Sequence, residues 1–171
     1  KEHLGDLCET VVKEQADFGI AVDPDVDRLV FVDEKGELFG EEYTLVACAD
    51  YILSKTPGAT VSNLSSTRAL ADVTRTHGGS YTASAVGEVN VVTEMKAVQA
   101  VIGGEGNGGV IYPPLHYGRD ALVGVVLFLS LLVERKLSVA QLRASYPSYF
   151  MSKNKITLVE HMDVDAILDS L

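Results

Sequence analysis

Apolar and polar residues follow two different periods along the chain, and the changes of period predict its helices and strands. From Leu4 to Lys13 the apolar residues recur at helical spacing, which predicts an amphipathic helix. Apolar runs at 18–22 and 29–33 predict strands, the first of them buried, and residues 34–36 form a turn. Further helices are predicted over residues 42–54, 67–76, 89–96, 119–134 and 138–144. Further strands are predicted over residues 60–64, 81–86, 100–103 and 110–112.

The order of these elements predicts the fold class. Strands that alternate with helices are typical of an α/β protein, here a three-layer α/β/α domain with a mixed, mostly parallel sheet. Two loops with unusual composition, after residues 22 and 103, directly follow predicted strands. Open α/β sheets bind ligands at the carboxyl ends of their strands, so these two loops are the first candidates for chemistry.

The first loop carries three aspartates at alternate positions, Asp23, Asp25 and Asp27, with Arg28 directly after them. Carboxylates this close together repel one another unless a cation lies among them. Hard oxygen ligands suit Mg²⁺ or Ca²⁺, while an arginine beside the metal provides a fixed positive charge for a phosphate. The alternative is an acidic turn around Pro24 that binds nothing.

Two other metal or phosphate families could use the same residues. In a calcium-binding EF-hand the aspartates would act together with Glu34 at the twelfth position, although Arg28 stands where that loop needs glycine. In a haloacid-dehalogenase-like phosphatase, Asp23 would be the nucleophile and Asp25 the general acid/base. Such a phosphatase also needs a later acidic pair, for which the sequence offers no convincing candidate.

The second loop is rich in glycine and presents two polar side chains. Gly104, Gly106 and Gly109 satisfy a G-x-G-x-x-G pattern, but a strand and two prolines follow where a dinucleotide fingerprint must open a helix. The glycines instead allow the backbone to approach a ligand closely. They flank Glu105 and Asn107, a carboxylate and an amide suited to the vicinal hydroxyls of a sugar. A glycine-rich hairpin without a ligand is the alternative.

Together the two loops resemble those of the α-D-phosphohexomutase superfamily, which includes phosphoglucomutases, phosphomannomutases and phosphoglucosamine mutases. In that family a D-G-D-G-D-R loop holds Mg²⁺ and a later G-E-x-S-G-H loop holds the sugar. The resemblance implies that Asp23, Asp25 and Asp27 bind Mg²⁺ and that Arg28 assists phosphoryl transfer as a catalytic residue. It also implies that Glu105 is the sugar-binding glutamate.

The resemblance extends to other substrate-binding positions and includes departures. Asn107 takes the serine position of the sugar loop, and Gly109 takes its histidine position. Gly87 and Glu88 stand where relatives carry Gly-His or Gly-Asp, and both are expected to bind substrate. Ser65 is a further substrate-binding candidate, with ordinary capping of the next helix as its alternative. In addition, the stretch 118–122 is similar to the family's T-G-D-G-x stretch, which opens the next helix.

The resemblance also implies a domain organisation. Residues 1–38 would be the C-terminal part of domain 2 with the metal loop, residues 39–150 domain 3 with the sugar loop, and residues 151–171 the lead into domain 4. The implied reaction interconverts hexose or hexosamine 1-phosphate and 6-phosphate through a phosphoserine and a bisphosphate intermediate. Since the phosphoserine motif is missing from the 171 residues, other domains of the same polypeptide would supply it, and this piece alone would be inactive.

The charge of the chain restricts its partners. A formal net charge of −10 argues against nucleic acid or an anionic membrane surface. An acidic protein that binds anionic sugar phosphates needs local positive charge, for which Arg28, Arg68 and Arg119 are candidates.

The cysteines and the apolar stretches indicate a cytoplasmic protein. Cys8 and Cys48 show no motif spacing and are expected to be buried thiols, which suits a reducing compartment. The longest apolar stretch, residues 121–133, is too short to span a bilayer.

Overall fold

The computed structural model describes residues 4–152 and shows twelve regular elements in that range. The helices are α1 (Gly5–Lys13), α2 (Glu41–Lys55), α3 (Ala69–Thr76), α4 (Glu88–Ala97), α5 (Ala121–Arg135) and α6 (Val139–Ser145). The strands are β1 (Phe18–Val22), β2 (Leu29–Asp33), β3 (Thr60–Asn63), β4 (Tyr81–Ser84), β5 (Ile102–Glu105) and β6 (Gly109–Ile111). Of the predicted lead into domain 4, all but residues 151 and 152 lies outside the described range.

The strands form two separate sheets. β1 and β2 make an antiparallel hairpin, while the other four make a sheet of order β4-β3-β5-β6. In this second sheet β3 runs parallel to β4 and β5, and only the edge strand β6 is antiparallel. The predicted α/β fold with a mixed, mostly parallel sheet is therefore confirmed.

The four-stranded sheet has a hydrophobic cluster on each face, which gives the three layers. Ile102 and Val110 face the larger cluster, which they share with α2, α3 and α5. Val61 and Ile111 point to the opposite face of the sheet, where they pack with Met95 and Val91 of α4 in the smaller cluster. Alternation of this kind follows from the two-residue period of a strand.

An aromatic cluster joins the β1–β2 hairpin to the main domain. The ring of Phe31 in β2 stacks on that of Phe128 in α5, with 3.7 Å between ring centroids. Phe39 meets both rings edge to face, at 6.5 Å from Phe31 and 5.0 Å from Phe128. An isolated hairpin is at best marginally stable in water, so this buried contact fixes the hairpin and the loop at its tip.

A buried aspartate connects the helices at the end of α2 that lies away from the sheet's loops. Asp50 is only 3 % exposed. It accepts hydrogen bonds from Arg135 Nη2 and the Tyr146 hydroxyl, both at 2.8 Å, and His77 Nε2 lies 2.7 Å from it. Burial, followed by the Asp50 charge, raises the pKa of Tyr146, so the phenol stays protonated as a donor. This cluster holds α2, α3, α5 and the segment after α6 together.

The strand predicted at 100–103 begins two residues later than expected. Ala100 instead closes the C-terminal turn of α4, where its amide donates to the carbonyl of Met95 at 2.8 Å. Glu105 is consequently the last residue of β5 rather than a loop residue. Gly103 lies within that strand, and the space there requires glycine. A β-carbon at this position would approach Met95 Sδ to 2.6 Å and the carbonyl oxygen of Val61 to 2.8 Å. This glycine therefore serves packing and not ligand approach.

Two expectations about burial are also corrected. β1 was predicted to be buried, but Ile20 and Val22 are exposed among the described residues, because α1 packs against the opposite face of the strand, the one that carries Gly19. Cys48 is a fully buried thiol, and burial raises its pKa to about 12. Cys8, in contrast, is only half-buried.

None of the helices of residues 4–152 is both long enough and apolar enough to cross a membrane.

We expect Phe128→Ala to lower the free energy of unfolding by about 3–5 kcal/mol, because it removes a fully buried ring that contacts two other rings. Urea unfolding of the chain, followed by circular dichroism, measures this loss. Val133→Ala on the same helix is the control, since Val133 is 78 % exposed and its truncation should change stability by less than about 0.5 kcal/mol. Equal effects of the two substitutions would show that the aromatic cluster does not anchor the hairpin.

Candidate functional site

The aspartate-rich loop lies at the tip of the β1–β2 hairpin and is organised by its first carboxylate. Asp23 Oδ1 accepts hydrogen bonds from the amides of Asp27 at 3.2 Å and Arg28 at 3.3 Å. Val26 has a positive φ of 55°, a conformation that costs a β-branched residue energy and suits glycine. The sequence placed Val26 where the related loops carry glycine, and the backbone now gives the reason for that glycine.

Asp23 and Asp27 lie close together, with the Arg28 guanidinium beside them. Arg28 Nε is 3.5 Å from Asp23 Oδ2 and 3.8 Å from Asp27 Oδ1. Burial raises the pKa of Asp27, and the neighbouring Asp23 carboxylate raises it further, against the opposing effect of nearby arginines. The pKa of Asp23 is lowered: desolvation would raise it, but the hydrogen bonds from Arg28 and Asp27 outweigh that effect. Of the two carboxyl groups, Asp27 therefore keeps a proton to a higher pH than Asp23 does.

One oxygen of this pair lacks a hydrogen bond. Asp27 Oδ1 is buried and accepts none from any residue of the described range. Asp25, the third predicted ligand, is exposed. Within residues 4–152 no three His, Cys, Asp or Glu side chains are grouped closely enough to hold a metal ion. The structure thus brings together two of the three predicted metal ligands.

The carboxyl ends of β3 and β5 form a polar network around the predicted sugar-binding glutamate. Asn63, the last residue of β3, donates from Nδ2 to Glu105 Oε1 at 2.8 Å. Asn63 Oδ1 accepts from the hydroxyls of Ser65 at 3.0 Å and Ser66 at 2.8 Å. The Ser66 hydroxyl in turn accepts from the amide of Gly106 at 2.9 Å. Ser65 is therefore part of a turn beside Glu105 and does not cap α3, which begins only at residue 69.

Arg119 connects this network to the metal loop. Its guanidinium donates to Glu105 Oε2 at 2.8 Å and Glu88 Oε2 at 3.1 Å, and it is paired with Asp27 Oδ2. Its own amide also donates to Glu88, at 3.3 Å. The side chain is only 14 % exposed. The expectation that Arg119 offers a free positive charge is corrected, because three carboxylates already neutralise it.

Backbone contacts hold the hairpin tip against the sugar loop. The amide of Leu29 donates to the carbonyl of Gly108 at 3.2 Å, and the amide of Ala121 donates to the carbonyl of Val26 at 3.0 Å. Gly108 has a φ of 90°, and a β-carbon there would lie 2.3 Å from the carbonyl oxygen of Leu29. Only glycine allows this approach of the two loops.

The remaining predicted positions have distinct surroundings. Gly87 has a φ of 114° and precedes α4, so it brings Glu88 to the start of that helix. Asn107 Oδ1 accepts from the amide of Gly109 at 3.2 Å, and its amide nitrogen makes no hydrogen bond to another described residue. Arg28 has a side chain that is 54 % exposed, and Arg68 is also exposed.

Three residues of the site were not predicted from the sequence in their observed roles. Asn63 and Ser66 bind the loop of Glu105, and Arg119 was considered only as a phosphate-binding charge. The available sign for Asn63 was its place near the end of the predicted strand 60–64, since a polar residue there lies at the ligand-binding edge of a sheet.

The two alternative interpretations of the aspartates fit the structure less well. Glu34 would be the final ligand of an EF-hand, yet it lies beyond the far end of β2 and accepts hydrogen bonds from Ser138 Oγ and the amide of Ala140. The EF-hand interpretation is therefore wrong. The phosphatase interpretation expected Asp23 at the carboxyl end of a strand in the parallel sheet. Asp23 instead follows a strand of an antiparallel hairpin, so this structural argument for a phosphatase is lost.

Family models match most of the chain. Residues 40–149 match the model of the phosphoglucomutase/phosphomannomutase alpha/beta/alpha domain III. Residues 1–36 match the model of alpha/beta/alpha domain II of the same family.

Individual relatives agree with these matches. A protein named probable phosphoglucosamine mutase, from Methanopyrus kandleri, is 36 % identical over 149 residues, which are 86 % of this chain and 33 % of that protein. A phosphoglucomutase/phosphomannomutase from Thermococcus kodakarensis is 31 % identical over 91 % of this chain and 34 % of its own length. The chain spans about a third of the length of these relatives.

A solved structure shows the same fold. The phosphoglucomutase/phosphomannomutase family protein from Burkholderia thailandensis superposes with a TM-score of 0.75 at 27 % identity, over 86 % of this chain and 32 % of that one. Family models that cover more than half of the chain, relatives above 30 % identity and this structural likeness agree with one another. The chain therefore belongs to the phosphoglucomutase/phosphomannomutase family of the α-D-phosphohexomutase superfamily.

Proposed function

We propose that the polypeptide carrying this chain is a phosphohexomutase that interconverts the 1-phosphate and 6-phosphate of a hexose or hexosamine. The proposed reaction proceeds through a phosphoserine, supplied by another domain of the same polypeptide, and a bisphosphate intermediate. Membership of the family supports this proposal, as do relatives that are named phosphoglucosamine mutase and phosphoglucomutase/phosphomannomutase. Those names cover more than one sugar, so the substrate is proposed as a class.

The observation that carries the proposal is the meeting of the aspartate loop and the sugar loop at one edge of the sheet. Asp27 and Glu105 are 78 positions apart in sequence (105 − 27), yet the same guanidinium of Arg119 binds both. A phosphoryl-transfer site needs a cation-binding group within reach of the substrate's hydroxyl-binding groups. This proximity of the two loops supports the proposal that one site binds both the cation and the sugar.

The carboxylates at the hairpin tip suit a magnesium ion. Asp27 Oδ1 is buried without a hydrogen bond, and Asp23 lies beside it, so a divalent cation would provide a partner for an oxygen that no described residue donates a hydrogen bond to. We propose that Asp25 is the third carboxylate ligand of this ion. When bound, Mg²⁺ would supply electrostatic stabilisation of the charge on the transferred phosphoryl group.

The other side chains of the site would bind and orient the substrate. Arg28, with a side chain more than half exposed, is the cation of the loop that remains available to a phosphate oxygen. Glu105 has both oxygens engaged, but each carboxylate oxygen can accept a second hydrogen bond, which leaves room for a sugar hydroxyl. Asn107 can donate its amide to a neighbouring hydroxyl. Ser65, Gly87 and Glu88 form the wall of the site beside Glu105.

We expect the polypeptide that combines this chain with its other domains to convert at least one hexose 1-phosphate into the 6-phosphate. The assay uses glucose, mannose and glucosamine 1-phosphates, with Mg²⁺ and a hexose bisphosphate as primer. The fastest substrate would name the enzyme. Release of free phosphate without any 6-phosphate would contradict the mutase proposal and favour the phosphatase alternative.

We expect Asp25→Asn to weaken Mg²⁺ binding by at least about tenfold while leaving stability unchanged, because Asp25 is exposed and its carboxylate is a proposed ligand. Isothermal titration of the 171-residue chain with MgCl₂ measures the affinity, and thermal unfolding measures the stability. Asp17→Asn is the matched control, since Asp17 is an exposed aspartate outside the loop. An Asp25→Asn chain that binds Mg²⁺ like the unsubstituted chain would remove Asp25 from the ligand set.

A further inference from the structure

We propose that Arg119 is a positioning residue of this site and that Gly109 is glycine in order to make room for it. Arg119 would hold the metal loop and the sugar-binding glutamate in a fixed relation. Its effect on turnover rests on the proposed mutase function, whereas its pairing with Gly109 can be tested without turnover.

The contacts of Arg119 connect three separate parts of the chain. Asp27 belongs to the hairpin tip, Glu88 begins α4 and Glu105 ends β5. Each carboxylate is bound by a different nitrogen of the guanidinium, an arrangement that a planar fork of donors permits and a lysine ammonium does not. Because these three carboxylates are held by one side chain, moving Arg119 would move both halves of the site.

Position 109 needs glycine because a neighbouring side chain leaves no room for a β-carbon, and not because of its backbone conformation. Its φ lies outside the left-handed region that favours glycine, so another residue could adopt the same conformation. A β-carbon at this position, however, would lie 2.4 Å from Arg119 Cδ and 3.1 Å from Cγ. The aliphatic part of Arg119 therefore passes through the volume that any larger side chain at position 109 would occupy.

Both positions are among those at which the chain departs from the superfamily motifs described above. The sugar loop of the family ends in histidine where this chain has Gly109, and its T-G-D-G stretch has glycine where this chain has Arg119. Relative to those motifs, the large side chain is exchanged from one position to the other. We infer that the guanidinium of Arg119 replaces the missing histidine as the basic group beside Glu105.

This exchange also changes the charge of the site. Asp27, Glu88 and Glu105 would repel one another if no cation lay between them, and Arg119 provides that cation permanently. Loss of Arg119 should therefore disturb the orientation of Glu105 toward the sugar. It should also increase the dependence on added Mg²⁺, because the metal would have to offset more of the repulsion.

The test is a double-mutant cycle in the polypeptide that contains all its domains. Gly109→His alone forces two side chains into one volume, and Arg119→Gly alone leaves the site without either basic group. We expect each single substitution to raise the KM for the sugar phosphate by about tenfold to a hundredfold, the range that one to two charge-assisted hydrogen bonds represent. The double substitution restores the family arrangement and should recover most of the loss.

Two further variants separate positioning from general damage. Arg119→Lys keeps the charge but can bind fewer carboxylates, so its KM should lie between those of the unsubstituted protein and Arg119→Gly. Arg75→Ala, which removes an exposed arginine whose ion pair within residues 4–152 is with Asp72, should leave KM and kcat unchanged. Raised Mg²⁺ should improve Arg119→Gly by a larger factor than the unsubstituted protein.

Additive losses in the cycle, or wild-type kinetics in Arg119→Gly, would overturn the proposal. The same cycle is also measured on the thermal unfolding of the 171-residue chain, where Gly109→His should lower the midpoint far more in the presence of Arg119 than in its absence. If no mutase turnover exists, the proposed function fails, but the unfolding cycle still decides whether Gly109 and Arg119 are a compensating pair. Equal shifts of the midpoint in both backgrounds would disprove the pair.

Discussion

The charge balance around Arg119 is the interaction on which the rest of the site depends. Three carboxylates from the hairpin tip, α4 and β5 lie against one guanidinium, on a side chain that is 14 % exposed. In such partly buried surroundings unpaired like charges are costly, since the effective dielectric is lower than in water. We infer that the arginine offsets this repulsion where the loops meet at the sheet edge, and Gly109 leaves the space through which its side chain passes.

The position of the hairpin depends equally on apolar packing. β1 and β2 form a sheet separate from the four-stranded one, and the ring of Phe31 packs on that of Phe128 to hold the hairpin against α5. Gly108 then lets the hairpin tip approach the sugar loop to hydrogen-bonding distance. Aromatic burial brings the aspartates to the domain, and the backbone contacts determine how they face it.

At two places in the domain an arginine neutralises carboxylates that are largely buried. Asp50 is buried among Arg135, His77 and Tyr146 at one end of α2, and Arg119 neutralises the acidic cluster at the other end of the sheet. Both arginines are committed to internal carboxylates. Arg28 therefore stands apart as a largely exposed arginine beside the aspartates, which agrees with its proposed contact with phosphate.

The sequence by itself determined the type and order of the elements, the mixed parallel sheet and the two loops, because hydrophobic period and turn residues act over a few positions. It erred where local pattern competes with packing: Ala100 is apolar and was predicted to begin a strand, yet its amide closes the C-terminal turn of α4. Asn63 and the triple pairing of Arg119 were decided only by tertiary structure. Contacts between residues that are far apart in sequence depend on which loops meet at the sheet edge, and no local pattern records that meeting.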